Sequence, residues 1–244
     1  MCEIFAVSSE KEVELNALLK EFFSHGSKHP NGWGLAVFYG NAVSLEKEPV
    51  ESNKSSYLKD RLAHKIMACN ALAHIRLATV GKMEYANSHP FILRDNFNRA
   101  WTLAHNGTIF HGEKTDAYAA QQEGSTDSER ILYYFVDQIN QKQSALHREL
   151  TTQERFALLD ELVCRLAPEN KLNLTIYDGD LLYVHSNYAN SLFMKEKDGA
   201  AYFATVPLDD GEWKPLPFMT LLAYHYGRRL FTGTCHGFEY KIAA

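Results

Sequence analysis

TDSERILYYFVDQINQK, residues 126–142, and TTQERFALLDELVCRL, residues 151–166, read as two consecutive helices in the middle of the chain. In the first, Leu132, Phe135, Val136 and Ile139 recur at three- and four-residue spacing, which makes one apolar face. Tyr133-Tyr134-Phe135 fits that face against a sheet. Thr126 with Glu129, and Thr151 with Glu154, have the form of capping boxes. On either side the pattern changes to short apolar runs. Before the helices these are Glu3–Val7, Gly34–Tyr39, Ala71–Ile75, Arg99–Ala104 and Thr108–Phe110. The last two flank His105-Asn106-Gly107, where an Asn-Gly pair suits a hairpin turn. After the helices come Leu172–Tyr177, Leu181–His185, Leu192–Lys195, Ala201–Thr205, Phe218–Tyr224 and Arg229–Thr232, with turns at Asp178-Gly179 and Asp198-Gly199. Two further helices are expected, one from the Ser9/Glu12 capping pattern to about Ser24, the other over Ser55–Cys69. Strands flanking two central helices predict an α+β fold, one domain over residues 1–244, layered so that both sheet faces are covered.

Composition agrees. The chain has 244 residues, is 45% hydrophobic and carries a formal charge of −5. Area scaling gives about 70% of the unfolded surface buried, enough for a proper core. A charged fraction of 23% with 12% aromatics excludes a disordered chain. Lys and Arg are scattered rather than gathered in a stripe, which argues against a nucleic-acid partner. No apolar run approaches the ~20 residues of a membrane helix, and residues 1–8 have no signal-peptide pattern. The four cysteines are far apart and form no C-x-x-C, so free thiols and a cytoplasmic location are expected. Eleven histidines without paired cysteines predict no metal and no cofactor.

Cys2 carries the most chemistry. Once Met1 is removed, its thiol and the new α-amino group sit on one residue. Free α-amines titrate near ~7.7–8.0, so such an amine is partly neutral and basic at cellular pH, and nucleophile and base come as a unit. Four downstream motifs supply complementary groups. Arg76, closing the His74-Ile75-Arg76 run, suits a bidentate grip on a carboxylate. Asn106 and Gly107 offer a side-chain amide and a backbone N–H to a developing oxyanion. Asp127 at a helix start suits an ammonium, although the helix dipole alone accounts for an acid there. Asn31-Gly32-Trp33-Gly34 allows close backbone approach beside an aromatic anchor.

The ordered set Met1-Cys2, Asn31-Gly32-Trp33-Gly34, His74-Ile75-Arg76-x-x-Thr79, Asn87-Ser88-His89-Pro90, His105-Asn106-Gly107 and Thr126-Asp127-Ser128-Glu129 resembles a class-II glutamine amidotransferase domain, one of the N-terminal-nucleophile hydrolases. The match spans about residues 2–130 and extends more loosely to Ala204–Leu208. The resemblance implies a four-layer αββα sandwich. It implies that Cys2 attacks the glutamine γ-carboxamide with its own α-amine as base, that Asn106 and Gly107 form the oxyanion hole, that Arg76 with Thr79 binds the α-carboxylate and Asp127 the α-ammonium, and that His89 belongs to the substrate pocket. Glutamate and ammonia are then the products, and the ammonia is taken by a separate synthase subunit or released. A γ-glutamyl amide or peptide hydrolase, and a non-catalytic glutamyl-binding module, are the alternatives that keep the same pocket. Relatives often have Asp where this chain has Asn31, and His where it has Val80.

Overall fold

The computed structural model describes residues 2–40, 42–78 and 81–241. In chain order the elements are β1 (Glu3–Glu14), α1 (Asn16–Ser24), β2 (Trp33–Tyr39), β3 (Ala42–Glu48), α2 (Ser56–Ala63), β4 (Met67–Ile75), β5 (Phe91–Arg94), β6 (Ala100–Thr108), α3 (Asp127–Leu146), α4 (Thr152–Leu166), β7 (Lys171–Tyr177), β8 (Leu182–His185), β9 (Phe193–Lys197), β10 (Ala200–Ala204), β11 (Lys214–Pro215), β12 (Leu222–His225) and β13 (Arg228–Thr232). One sheet has the order β11-β9-β10-β1-β4-β2-β3, the other β13-β12-β8-β7-β6-β5. Neighbouring strands pair antiparallel throughout, for example Glu3 with Ile75 across β1/β4 and Asn106 with Asn173 across β6/β7.

Three apolar layers hold four structural layers together. Side chains alternate across a strand, and here both faces of the central strands are apolar. Phe5 and Val7 of β1 pack with Leu19, Phe22 and Phe23 of α1 and with Leu58 and Leu62 of α2. Ile4 and Ala6, on the opposite face, join Ala104, Tyr177, Val184 and Tyr224 of the second sheet. Trp101 and Leu103 of β6 face Ile131, Phe135, Leu159 and Val163 of α3 and α4. The order is therefore helix pair, sheet, sheet, helix pair, the expected αββα sandwich. Among the described residues no helix is long and apolar enough to cross a membrane.

Tertiary pairing overrides local signals in three places. Ser9 and Glu12 cap no helix. β1 continues past them to Glu14 through a register shift between Ser8 and Val13. The helix begins at Asn16, whose side chain instead bonds Leu62 O, His64 O and the Ile66 N–H. The helix expected over Ser55–Cys69 stops at Ala63, and Cys69 lies on β4. His105-Asn106-Gly107 makes no turn, because β6 runs unbroken through it. The central helices are as the sequence reads, with a complete capping box at Thr151/Glu154. At the head of α3, Thr126 caps the Glu129 N–H, but the Glu129 carboxylate reaches back past Thr126 to the Glu123 and Gly124 N–H groups.

An internal ion pair ties α4 to the β7–β8 turn. Arg155, 3% exposed, donates to Asp178 Oδ2 (2.7 Å), Asp180 Oδ2 (2.6 Å) and Leu150 O (3.1 Å). Asp178 also accepts from Tyr183 Oη and the Leu181 N–H. Replacing one partner strands the other charge in the interior. Arg155→Met is expected to lower stability by about 3–5 kcal/mol, read as a fall in the urea midpoint. An unchanged midpoint would show that the pair contributes nothing.

Candidate active site

Cys2 heads β1 and Arg76 follows β4, so the Glu3–Ile75 pairing brings both to one end of neighbouring strands. The Cys2 thiol lies 3.4 Å from both the carbonyl and the N–H of Leu77, donating to the first and accepting from the second. Burial pushes the thiol's pKa up. The Leu77 hydrogen bond and Arg76 oppose that rise, and Asp127 adds to it. Cys2 is therefore a protonated thiol at neutral pH, and attack needs a base. Alkylation of Cys2 by iodoacetamide is expected to keep accelerating above pH 9, followed by peptide mass spectrometry. A plateau below pH 8 would mean a preformed thiolate.

Arg76 is 2% exposed, and its guanidinium donates to Lys82 O (3.0 Å) and Gly81 O (3.2 Å). Burial lowers its pKa, against the pull of Cys2 and Asp127. Its backbone is fixed by the 31–34 turn. The Arg76 N–H donates to Gly32 O, the Asn31 N–H donates to Arg76 O, and Asn31 Oδ1 accepts the Ala78 N–H at 2.9 Å. The last bond needs an acceptor oxygen, not a charge, so Asn31 serves without one. Gly34 is needed for contact: a Cβ there would lie 1.9 Å from His89 O. Asn87 clasps this loop to the entrance of α3. Its amide donates to Lys82 O and Ser125 Oγ, and its Oδ1 accepts the Ser125 N–H at 2.7 Å. Thr79 and Val80 lie outside the described residues, as does Met1.

The second sheet supplies the facing wall. Asn106 is 1% exposed, and its Nδ2 has no hydrogen-bond partner among the described residues. Gly107 lies against β7 so closely that a Cβ would sit 2.0 Å from Lys171 O and 2.3 Å from His105 Nε2. That contact, rather than a turn, explains the glycine. His105 donates through Nε2 to Lys171 O (3.0 Å) and accepts through Nδ1 from Ser128 Oγ (2.9 Å), so it fastens β6 to β7 and α3. Asp127, 6% exposed, accepts the Ile109 N–H at 2.7 Å and the Ser128 N–H at 3.0 Å. The Asp127 carboxylate acts on both Cys2 and Arg76, with an upward pull on the pKa of each.

His89 takes a different place from a simple ligand. Its ring stacks 4.0 Å from that of His74 and 4.4 Å from Phe91, and the ring nitrogens of both histidines have no hydrogen-bond partner among the described residues. Burial keeps both imidazoles neutral, with His74 pulled down to about 3.

Sequence reasoning missed His74, Asn87 and Lys171. Lys171 is 4% exposed at the head of β7, and burial pulls its ammonium down to about 8 against the opposing field of Cys2. A signal was present. Lys171, Asn173 and Thr175 alternate with Leu172, Leu174 and Ile176, and the polar set lies inside the sandwich rather than in solvent.

Two antiparallel sheets thus lie between helix pairs, with a half-buried thiol at the head of β1 and the buried Asn106 amide on β6. The family model for class-II glutamine amidotransferases matches residues 1–196, and the chain belongs to that family. An uncharacterised protein of Methanocaldococcus jannaschii is 26% identical, over 95% of this chain and 71% of its own length. YafJ of Escherichia coli, described as a glutamine amidotransferase, is 26% identical over 73% of this chain and 70% of its own length. Among solved structures, a predicted glutamine amidotransferase from Pseudomonas aeruginosa superposes with a TM-score of 0.70 at 22% identity, covering 94% of this chain and all of that one. Glutamine phosphoribosylpyrophosphate amidotransferase of B. subtilis superposes with a TM-score of 0.67 at 17% identity, covering 92% of this chain and 47% of that one. Membership in this family supports hydrolysis of the glutamine amide in general.

Proposed function

We propose that the protein cleaves the γ-carboxamide of a glutamyl group with Cys2 as nucleophile. The observation that carries this reading is the buried Asn106 amide, whose Nδ2 has no hydrogen-bond partner among the described residues, together with a thiol that feels both the Arg76 cation and the Asp127 anion. Buried donors are rarely left unmade without a reason, and a transient oxyanion supplies one. Arg76, helped by Thr79, holds the α-carboxylate, and Asp127 holds the α-ammonium. The pair reads a zwitterionic head and sets its reach to the sulfur. His89 and His74 wall the pocket as neutral rings.

The Cys2 sulfur bonds to the γ-carbon, and the thiol proton passes through the residue's own α-amine, freed by loss of Met1, to the departing nitrogen. Asn106 Nδ2 and the Gly107 N–H hold the oxygen's developing charge. The C–N bond breaks and leaves a γ-glutamyl thioester. Water then adds, the C–S bond breaks, and glutamate departs as the sulfur regains a proton. With glutamine the nitrogen leaves as ammonia, free or toward a separate synthase subunit. With a γ-glutamyl amide it leaves as the parent amine.

The test is release of glutamate and ammonia from L-glutamine, alongside stoichiometric labelling of Cys2 by a glutamine-like electrophile. Release with labelling is the expected result. Binding of glutamine with neither would make the protein a glutamyl-binding module and overturn the hydrolase reading.

A further inference from the structure

The two sheets face each other in a definite sense. In the first sheet β4 flanks β1 on one side and β10 on the other, and the second runs β12-β8-β7-β6-β5. His89, just before β5, stacks on His74 of β4, whereas Tyr224 of β12 packs on Phe203 of β10. The β4 side of the first sheet therefore faces β5, and the β10 side faces β12, with β8, β7 and β6 in order between. Arg76 follows β4, whereas Lys171 heads β7, on the far side of β6 from β5, with its carbonyl against Gly107. A glutamyl group held by Arg76, with its γ-carbon at the sulfur, sends whatever its amide nitrogen carries toward Lys171.

Three aromatic rings wait there. Tyr188 lies under Lys171 Nζ at 4.4 Å. Tyr240 meets Tyr188 edge-on at 5.8 Å, and Phe110 stacks on Tyr240 at 5.6 Å with planes 4° apart. Phe110 is 54% exposed although its backbone is firmly held. The preceding Ile109 N–H donates to Asp127, and the Phe110 and His111 N–H groups donate to Asn170 Oδ1. Tyr240 arrives on the C-terminal segment after β13, which is pinned to the same wall. The His236 N–H donates to Met219 O and the Tyr240 N–H to Asn187 O. Asn187 also donates to Phe238 O and accepts the Leu172 N–H, beside Lys171. Rings held this way by backbone bonds lose little freedom on meeting a ligand, and an apolar wall with few polar groups suits a small molecule.

We propose that Tyr188, Tyr240 and Phe110 form a subsite for a planar ring carried on the amide nitrogen's substituent, so that the substrates include γ-glutamyl amides of arylalkylamines. This rests on the hydrolase reading above and extends it to the leaving group. The bond chemistry is unchanged, with the arylalkylamine departing in place of ammonia.

Rates on γ-glutamyl-phenethylamide and γ-glutamyl-butylamide, two alkylamides that differ mainly in the ring, test it. The wild type is expected to favour the phenethylamide in kcat/KM by about tenfold, the scale of one ring stacked and partly buried. In Tyr240→Ala and Phe110→Ala the ratio falls toward one, and in Tyr240→Phe it is retained. A ratio does not depend on how much enzyme is folded, so a loosened C-terminal segment does not imitate the effect. A wild-type ratio near one, or a ratio unchanged in Tyr240→Ala, overturns the subsite while glutamate release still supports the hydrolase. No glutamate from either amide or from glutamine overturns the hydrolase and the subsite with it.

Discussion

Cys2→Ala is expected to abolish glutamate release, with a loss of about 10⁴-fold or more, the scale seen when a covalent nucleophile is removed. The substitution leaves β1 paired on both sides through Glu3–Ile75 and Phe5–Ala204, so thermal unfolding should be nearly unchanged. It also leaves Arg76 and Asp127, so glutamine binding is expected to survive in calorimetry. Cys2→Ser separates two features of the site. The α-amine of residue 2 remains, but a hydroxyl is far harder to deprotonate than a thiol, so activity should fall short of the wild type by several orders. Activity in Cys2→Ala within tenfold of the wild type would move the chemistry to another group.

The second large effect is at Asn106. Loss of one oxyanion donor costs about 10²–10³ in kcat, and Asn106→Ala is expected in that range. Stability should move the other way from an ordinary core truncation. The Nδ2 group is buried and has no hydrogen-bond partner among the described residues, so its removal relieves a desolvated donor instead of breaking a hydrogen bond. A fall in kcat with an unchanged or higher urea midpoint is the expected signature. Loss of activity together with a large loss of stability would assign Asn106 to the packing of the two sheets.

Much of this site is legible because its motifs are short, local and stiff. The order of strands about two central helices predicts α+β, and the Thr151/Glu154 box predicts the start of α4, because each depends on neighbours a few residues apart. Asn31, Arg76, Asn106, Gly107 and Asp127 are legible only as a set; each alone has an ordinary structural reading. What depends on distant pairing is not legible. Ser9 and Glu12 satisfy a helix start, yet Ser9 pairs with Ala200 of β10 and the strand continues. Asn106-Gly107 satisfies a hairpin, yet the glycine answers to Lys171 O, more than sixty residues along the chain. Lys171 itself reads as a surface residue until both faces of β7 are known to be covered.

The Asn87 clasp reaches beyond its own loop. One amide joins the carbonyl of Lys82, which the Arg76 guanidinium also engages, to Ser125, two residues before Asp127. On the function proposed above, the grips for the two opposite charges of an amino acid are thereby tied to one another. Such a pairing would gauge chain length: asparagine, one methylene shorter, is expected to fill both grips and leave its carbonyl short of the sulfur.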